Sequence, residues 1–204
     1  MATNEEMITL VASDGHSLDA FVARAEGTAK GGLIILQEIF GLTDQLKSVA
    51  RSYAADGYTT IVPALFDRVA PNTVIPFDAP NDGREVMMKL DVDKVMLDIE
   101  AARTAVNVGS GVSVLGFCFG GGIAVKAACT LDIISAVSFY GTRLTNFLDT
   151  SPKCPTLFHF GETDTMNTPP EVIAAVENAI PNAETHIYDA GHAFANDARP
   201  TYVP

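Results

Sequence analysis

The chain has 204 residues, a formal net charge of −12, 48% hydrophobic residues and 19% charged ones. That is enough apolar chain for one sizeable core and too much for a disordered polymer, while the acidic surplus disfavours nucleic acid and acidic membranes, because no basic excess is present to displace phosphate counterions. Three cysteines, with no CxxC and no Cys/His ligand spacing, argue against a disulfide framework or a metal site, so reduced thiols and no cofactor are expected.

The opening residues MATNEEMITLVASDGH place acids where a signal peptide carries bases, and no stretch approaches the roughly 18 apolar residues needed to cross a bilayer. A cytoplasmic protein is expected. Met7 to Ala12 and Leu18 to Ala25, joined by Ser13-Asp14-Gly15-His16, read as an antiparallel hairpin. From about residue 30 short β-branched runs alternate with helix-compatible stretches, the pattern of a mostly parallel sheet covered on both faces. The strands are expected at Gly32–Gln37, Thr59–Val62, Val112–Gly116, Ile134–Tyr140, Pro155–Phe160 and Glu184–Tyr188, about eight in all with the hairpin. Helices are expected near 43–56, 84–106, 120–130 and 170–180. Over 84–106 the apolar residues Val86, Leu90, Val95, Leu97 and Ile99 alternate with charges, predicting one long helix with a solvated face. Phe66 to Gly83, with Pro71, Pro76 and Pro80, reads as a loop packed over the rest. The class is α/β, with 1–204 expected to form one domain.

Gly116-Phe117-Cys118-Phe119-Gly120-Gly121-Gly122 follows a strand-like run and precedes a helix-like one. A G-x-C-x-G turn of this kind is a nucleophile elbow, in which glycines make room for a strained strand-to-helix turn. The helix start behind Cys118 favours a thiolate or an oxyanion. An elbow predicts an acid and then a histidine, each in a loop after a strand. Gly161-Glu162-Thr163-Asp164 and Asp189-Ala190-Gly191-His192 supply both in the expected order. Asp164 is the expected acid, although Glu162 competes for the role. His192 would exchange a proton with the thiol while the acid fixes its tautomer. His16, His159 and His186 carry no expected chemistry, and Cys129 and Cys154 read as structural.

Gln37-Glu38-Ile39-Phe40-Gly41-Leu42 follows the Gly32 strand. The loop after this strand supplies one oxyanion-hole amide in such an architecture, assigned to Ile39, and the residue after the nucleophile, Phe119, supplies the other. Glu38 is out of place there as a plain carboxylate, since it would repel the developing charge.

Taken together, QEIFGL, GFCFGGG, GETDTMNTPP and AGHAF resemble the dienelactone hydrolase family of α/β-hydrolases, from about residue 7 to the end. The resemblance implies an α/β-hydrolase fold and a Cys118–Asp164–His192 triad that cleaves a lactone or small activated ester through a thioester. It also implies that Glu38 meets the resting thiol and limits its reactivity until substrate binds. Two arginines hold the substrate carboxylate in that family. Arg84 corresponds to one, and the position of the other holds Asn196, with Arg199 and Arg143 as weaker substitutes. Family members normally continue into a terminal helix, which this chain, ending at Pro204, is expected to lack. A small-molecule substrate and a monomer or homodimer are expected. A thioesterase or general carboxylesterase with the same triad is the alternative, and from another class a redox-sensing thiol on a hydrolase scaffold.

Overall fold

The computed structural model describes residues 4–204. In chain order it contains β1 (Asn4–Val11), β2 (Ser17–Arg24), β3 (Gly32–Leu36), α1 (Asp44–Ala55), β4 (Thr59–Pro63), α2 (Pro80–Met87), α3 (Val92–Val106), β5 (Val112–Phe117), α4 (Phe119–Thr130), β6 (Ser135–Phe139), β7 (Thr156–Gly161), α5 (Pro170–Ala179) and β8 (Glu184–Tyr188). Short 3₁₀ turns lie at Leu65–Arg68 and Leu144–Phe147. The eight strands follow the order β1-β2-β4-β3-β5-β6-β7-β8 in one sheet. The pairs β1–β2 and β2–β4 are antiparallel, whereas β3–β4, β6–β7 and β7–β8 are parallel. The α/β class and the strand number agree with the sequence reading. Among the described residues no helix is long and apolar enough to cross a membrane.

The chain forms two compact units, one ending at Ser113 and one starting at Val114. In the first, the hairpin runs in unbroken register from Asn4↔Arg24 to Val11↔Ser17. It therefore starts earlier than Met7. Glu5 and Glu6 carry no apolar alternation and are exposed, so their strand state comes from cross-strand pairing and from the Arg51–Glu5 and Arg24–Glu6 ion pairs, both 2.6 Å. β3 and β4 are buried throughout, as expected of central parallel strands.

The expected helix over 84–106 is two helices. Pro80 opens α2 at its first turn, where a missing N–H costs nothing. α2 ends at Met87, and the Asp91 carboxylate accepts from the N–H groups of Asp93 (3.0 Å) and Lys94 (3.4 Å) to start α3. Arg84 consequently sits in the last turn of α2 rather than at the start of a long helix. α3 buries Val95, Met96, Ile99, Ala102 and Val106 along one stripe. The segment 66–83 is likewise more ordered than a loop. The buried Asp67 carboxylate accepts from the backbone N–H groups of Asp19 and Asn72, both 2.9 Å. Arg68 forks onto Asp98 (Nε to Oδ2, 2.6 Å) and also reaches Asp14 (2.8 Å).

In the second unit α4 is buried on nearly every side, which its Gly- and Ala-rich sequence permits. Val125, Leu144, Phe158, Phe160, Ile173, Val176 and Ile180 form a core between α4, β7 and α5. The opposite face of β6–β8 is more open. Phe139, His159 and His186 stand in register on the three strands and stack, with ring centroids 4.1 and 5.5 Å apart.

Candidate active site

The Cys118 elbow has the local structure that its glycines foretell. β5 ends at Phe117, α4 begins at Phe119, and Cys118 between them has φ 54° and ψ −115°. A non-glycine residue there stores roughly 1–3 kcal/mol of strain. The turn is held by backbone hydrogen bonds. Cys118 N–H donates to the Phe139 carbonyl (3.0 Å), and the Cys118 carbonyl accepts from Gly121 (3.0 Å) and Thr142 (2.9 Å). A Cβ at Gly116 would overlap the Gly120 carbonyl oxygen, so strand and helix approach this closely only with glycine at 116. The result is a thiol at the start of a helix whose first-turn N–H groups have no intrahelical partner.

Asp164 and His192 occupy loops after β7 and β8, and those loops are bonded to each other. Glu162 N–H donates to the Tyr188 carbonyl (2.8 Å), and Thr163 N–H to that of Ala190 (3.0 Å). These bonds place His192 Nδ1 2.6 Å from Asp164 Oδ2. Of the two acids, the one that meets His192, Asp164, is 4% exposed, whereas Glu162 faces solvent. His192 is also hydrogen-bonded with Cys118. The structure thus brings Cys118, His192 and Asp164 together.

The electrostatics follow from that chain of contacts. Burial opposes charge on His192, but the Asp164 hydrogen bond, followed by the hydrogen bond and charge of the Cys118 sulfur, outweighs it and carries the imidazole up to about 10. Burial likewise opposes charge on Asp164. Its hydrogen bond and attraction to His192, with those from Asn167, prevail and hold the carboxyl below its usual value.

Two supporting residues escaped the sequence reading. Asn167 donates its side-chain N–H to Asp164 Oδ1 (2.8 Å), leaving Oδ2 for the histidine. The only hint in the sequence is an Asn three residues after an Asp, a common turn spacing. Tyr140 is fully buried and sets its ring edge to His192 at 5.1 Å. Nothing in its local sequence separates it from a core tyrosine.

The remaining expected residues lie as follows. Phe119 is the first residue of α4 and is buried. Glu38 and Ile39 follow β3 in a loop fixed by Gln37, whose Oε1 accepts from Leu65 N–H (3.0 Å), and both are buried. Arg84 is exposed and donates Nη1–H to Asn81 Oδ1 (2.8 Å). Asn196 is buried, and its Oδ1 accepts from Ala198 N–H (3.1 Å) within a turn. Cys129 sits on α4 with its thiol directed to the Thr150 carbonyl (2.9 Å), and burial pushes both Cys129 and Cys154 up.

The model of the dienelactone hydrolase family matches residues 18–204. A carboxymethylenebutenolidase from Pseudomonas putida is 30% identical over 213 residues, covering 97% of this chain and 89% of that protein. Another from a Pseudomonas species is 29% identical, covering 94% of this chain and 89% of that protein. Among solved structures, a dienelactone hydrolase-like promiscuous phosphotriesterase from metagenomic libraries has a TM-score of 0.76 at 18% identity, covering 99% of this chain and 91% of the other.

Proposed function

The chain belongs to the dienelactone hydrolase family and is a hydrolase of ester or lactone bonds, and from that premise we propose that Cys118 is its nucleophile, with His192 and Asp164 as base and orienting acid. The observation that carries the reading is the relay itself, a strained elbow thiol hydrogen-bonded with an imidazole whose other nitrogen lies 2.6 Å from a buried carboxylate.

His192 Nε2 takes the thiol proton as sulfur attacks the carbonyl carbon. The backbone amides of Ile39 and Phe119 receive the oxyanion that develops. Collapse breaks the ring or ester C–O bond, the departing oxygen takes the proton from His192, and a thioester is left on Cys118. A water molecule, deprotonated by His192, attacks the thioester and frees the acid, and the proton returns to sulfur. Asp164 supports the imidazolium in both halves, and Asn167 keeps Asp164 turned toward it. Glu38 is assigned the gating role that the resemblance implies, limiting the thiol until substrate arrives. A cysteine suits a lactone whose leaving enolate is already good, since little assistance to departure is required.

The substrate is a lactone or small activated ester, with Arg84 receiving any carboxylate it bears. Asn196, tied into its own turn where the family resemblance calls for a second arginine, favours a second reading on the same triad, a thioesterase or general carboxylesterase. The test is turnover of a dienelactone and of an activated aryl ester by wild type, Cys118→Ala and His192→Ala. Both variants should lose at least about 10³-fold in kcat, and wild type should show an acyl-enzyme by mass spectrometry. Turnover of the aryl ester alone would favour the general esterase. Absence of both turnover and acyl-enzyme, with peroxide-dependent oxidation of Cys118, would replace the hydrolase by a redox thiol.

A further inference from the structure

The Ile39–Phe40 and Phe40–Gly41 peptides are gripped by a single following segment, Thr73 to Gly83. Val74 forms an antiparallel bridge with Gly41, and Ile75 N–H donates to the Phe40 carbonyl (2.9 Å). The Phe77 ring meets Phe40 edge-on at 4.9 Å. In addition, α2 lies against Ile39 with so little clearance that a Cβ on the buried Gly83 would collide with the Ile39 carbonyl oxygen and stand 3.1 Å from its carbonyl carbon. The obstacle is backbone rather than a flexible side-chain tip. A substituent at 83 can be admitted only by moving α2 or by turning the peptides that flank Ile39.

We propose that Gly83 is a positioning residue for the oxyanion amide, and that the Thr73–Gly83 segment is the clamp that fixes the direction of the Ile39 N–H. The inference rests on the oxyanion role proposed for Ile39. An amide that stabilises developing charge must be aimed before the charge appears, because a donor that has to reorient during the reaction forfeits most of its benefit. The loop after β3 contributes no regular ladder of its own around Ile39, so its aim comes from what it is packed against. α2 and the bridge at Val74 supply two separate supports on consecutive peptides.

The test is Gly83→Ala, compared with wild type by three measurements. The first is hydrolysis of an activated aryl ester, where kcat should fall about 10- to 100-fold with KM held within about twofold, as expected for a donor misplaced rather than deleted. The second is inhibition by an aryl trifluoromethyl ketone, whose tetrahedral adduct with Cys118 presents the same oxyanion. Its Ki should rise by about the factor lost from kcat. The third is alkylation of Cys118 by iodoacetamide, which builds no oxyanion and should proceed at the wild-type rate.

If acylation and alkylation fall together, the substitution has disordered the site as a whole and the positioning role is overturned. Unchanged kcat and Ki overturn it equally. Should Gly83→Ala fail to fold, Phe77→Ala relaxes the second support through a half-buried side chain, and the same split between ester turnover and alkylation is required of it. A wild-type enzyme that forms no ketone adduct and hydrolyses no ester would instead sink the nucleophile reading, and this inference with it.

Discussion

His192 and His159 belong to the same unit and are both partly withdrawn from water, yet their imidazoles move in opposite directions, one up to about 10 and the other down to about 4. Burial acts with the same sign on both, favouring the neutral ring. The difference lies in the partners. His192 has a buried carboxylate at 2.6 Å and the Cys118 sulfur. His159 is held down by burial first and then by the charge of His186, with Glu184 pulling weakly the other way, and it is packed between the rings of Phe139 and His186. Burial alone therefore pulls such a ring toward its neutral form, as in His159, and His192 departs from that because the Asp164 loop is pinned beside it.

The largest effect should come from removing that carboxylate. Asp164→Asn leaves the shape of the site but not the charge, so kcat should fall about 10³- to 10⁴-fold. Proton NMR titration should find His192 moved from about 10 toward its ordinary 6.5. Persistence near 10 would mean that the sulfur, not Asp164, sets the imidazole, and the contrast between the two histidines would need a different cause.

The next effect is on stability against pH, where the two residues have opposite signs. His192 is raised on folding, so its stabilising contribution is complete below the unfolded value of 6.5 and is lost as pH rises through about 10. His159 is depressed on folding. Its unfolded form takes up a proton more readily, so stability falls as pH drops from 6.5 toward about 4. His159→Phe keeps a ring in the stack and abolishes the titration. The stability difference between variant and wild type, measured by urea unfolding at pH 7 and at pH 4.5, should shift in favour of the variant by about 1 kcal/mol at the lower pH, the partial exposure of His159 having been allowed for. A pH-independent difference would remove His159 from the account. The smallest effect belongs to Glu184→Gln at the exposed rim, which should lower His159 further while changing stability at pH 7 by less than about 0.5 kcal/mol.

The sequence made the meeting of three side chains more legible than the connections that hold them. Cys118, Asp164 and His192 could be read because each stands at a strand-to-loop junction that turn chemistry marks: glycines around the elbow, Gly161 before the acid and Gly191 before the histidine. The central strands were readable because burial on both faces demands continuous β-branched runs. The break between α2 and α3 was not, since Met87 to Leu90 are helix formers and Asp91 acts as a cap only through bonds to Asp93 and Lys94 that composition does not display. Arg84 was placed on the wrong helix for the same reason. Glu5 and Glu6 were left out of β1 because their partners, Arg51 and Arg24, are distant in sequence. Asn167 and Tyr140 matter through contacts with Asp164 and His192, and such roles exist only once the loops have met.

The backbone of Cys118 carries a consequence beyond catalysis. At φ 54° and ψ −115° the residue occupies a conformation in which glycine is at ease and cysteine is not. Cys118→Gly should therefore melt at a higher temperature than wild type although it cannot react. In evolutionary terms the elbow is an uphill position: once selection on Cys118 ceased, drift toward thermostability would replace it with glycine and leave the fold in place.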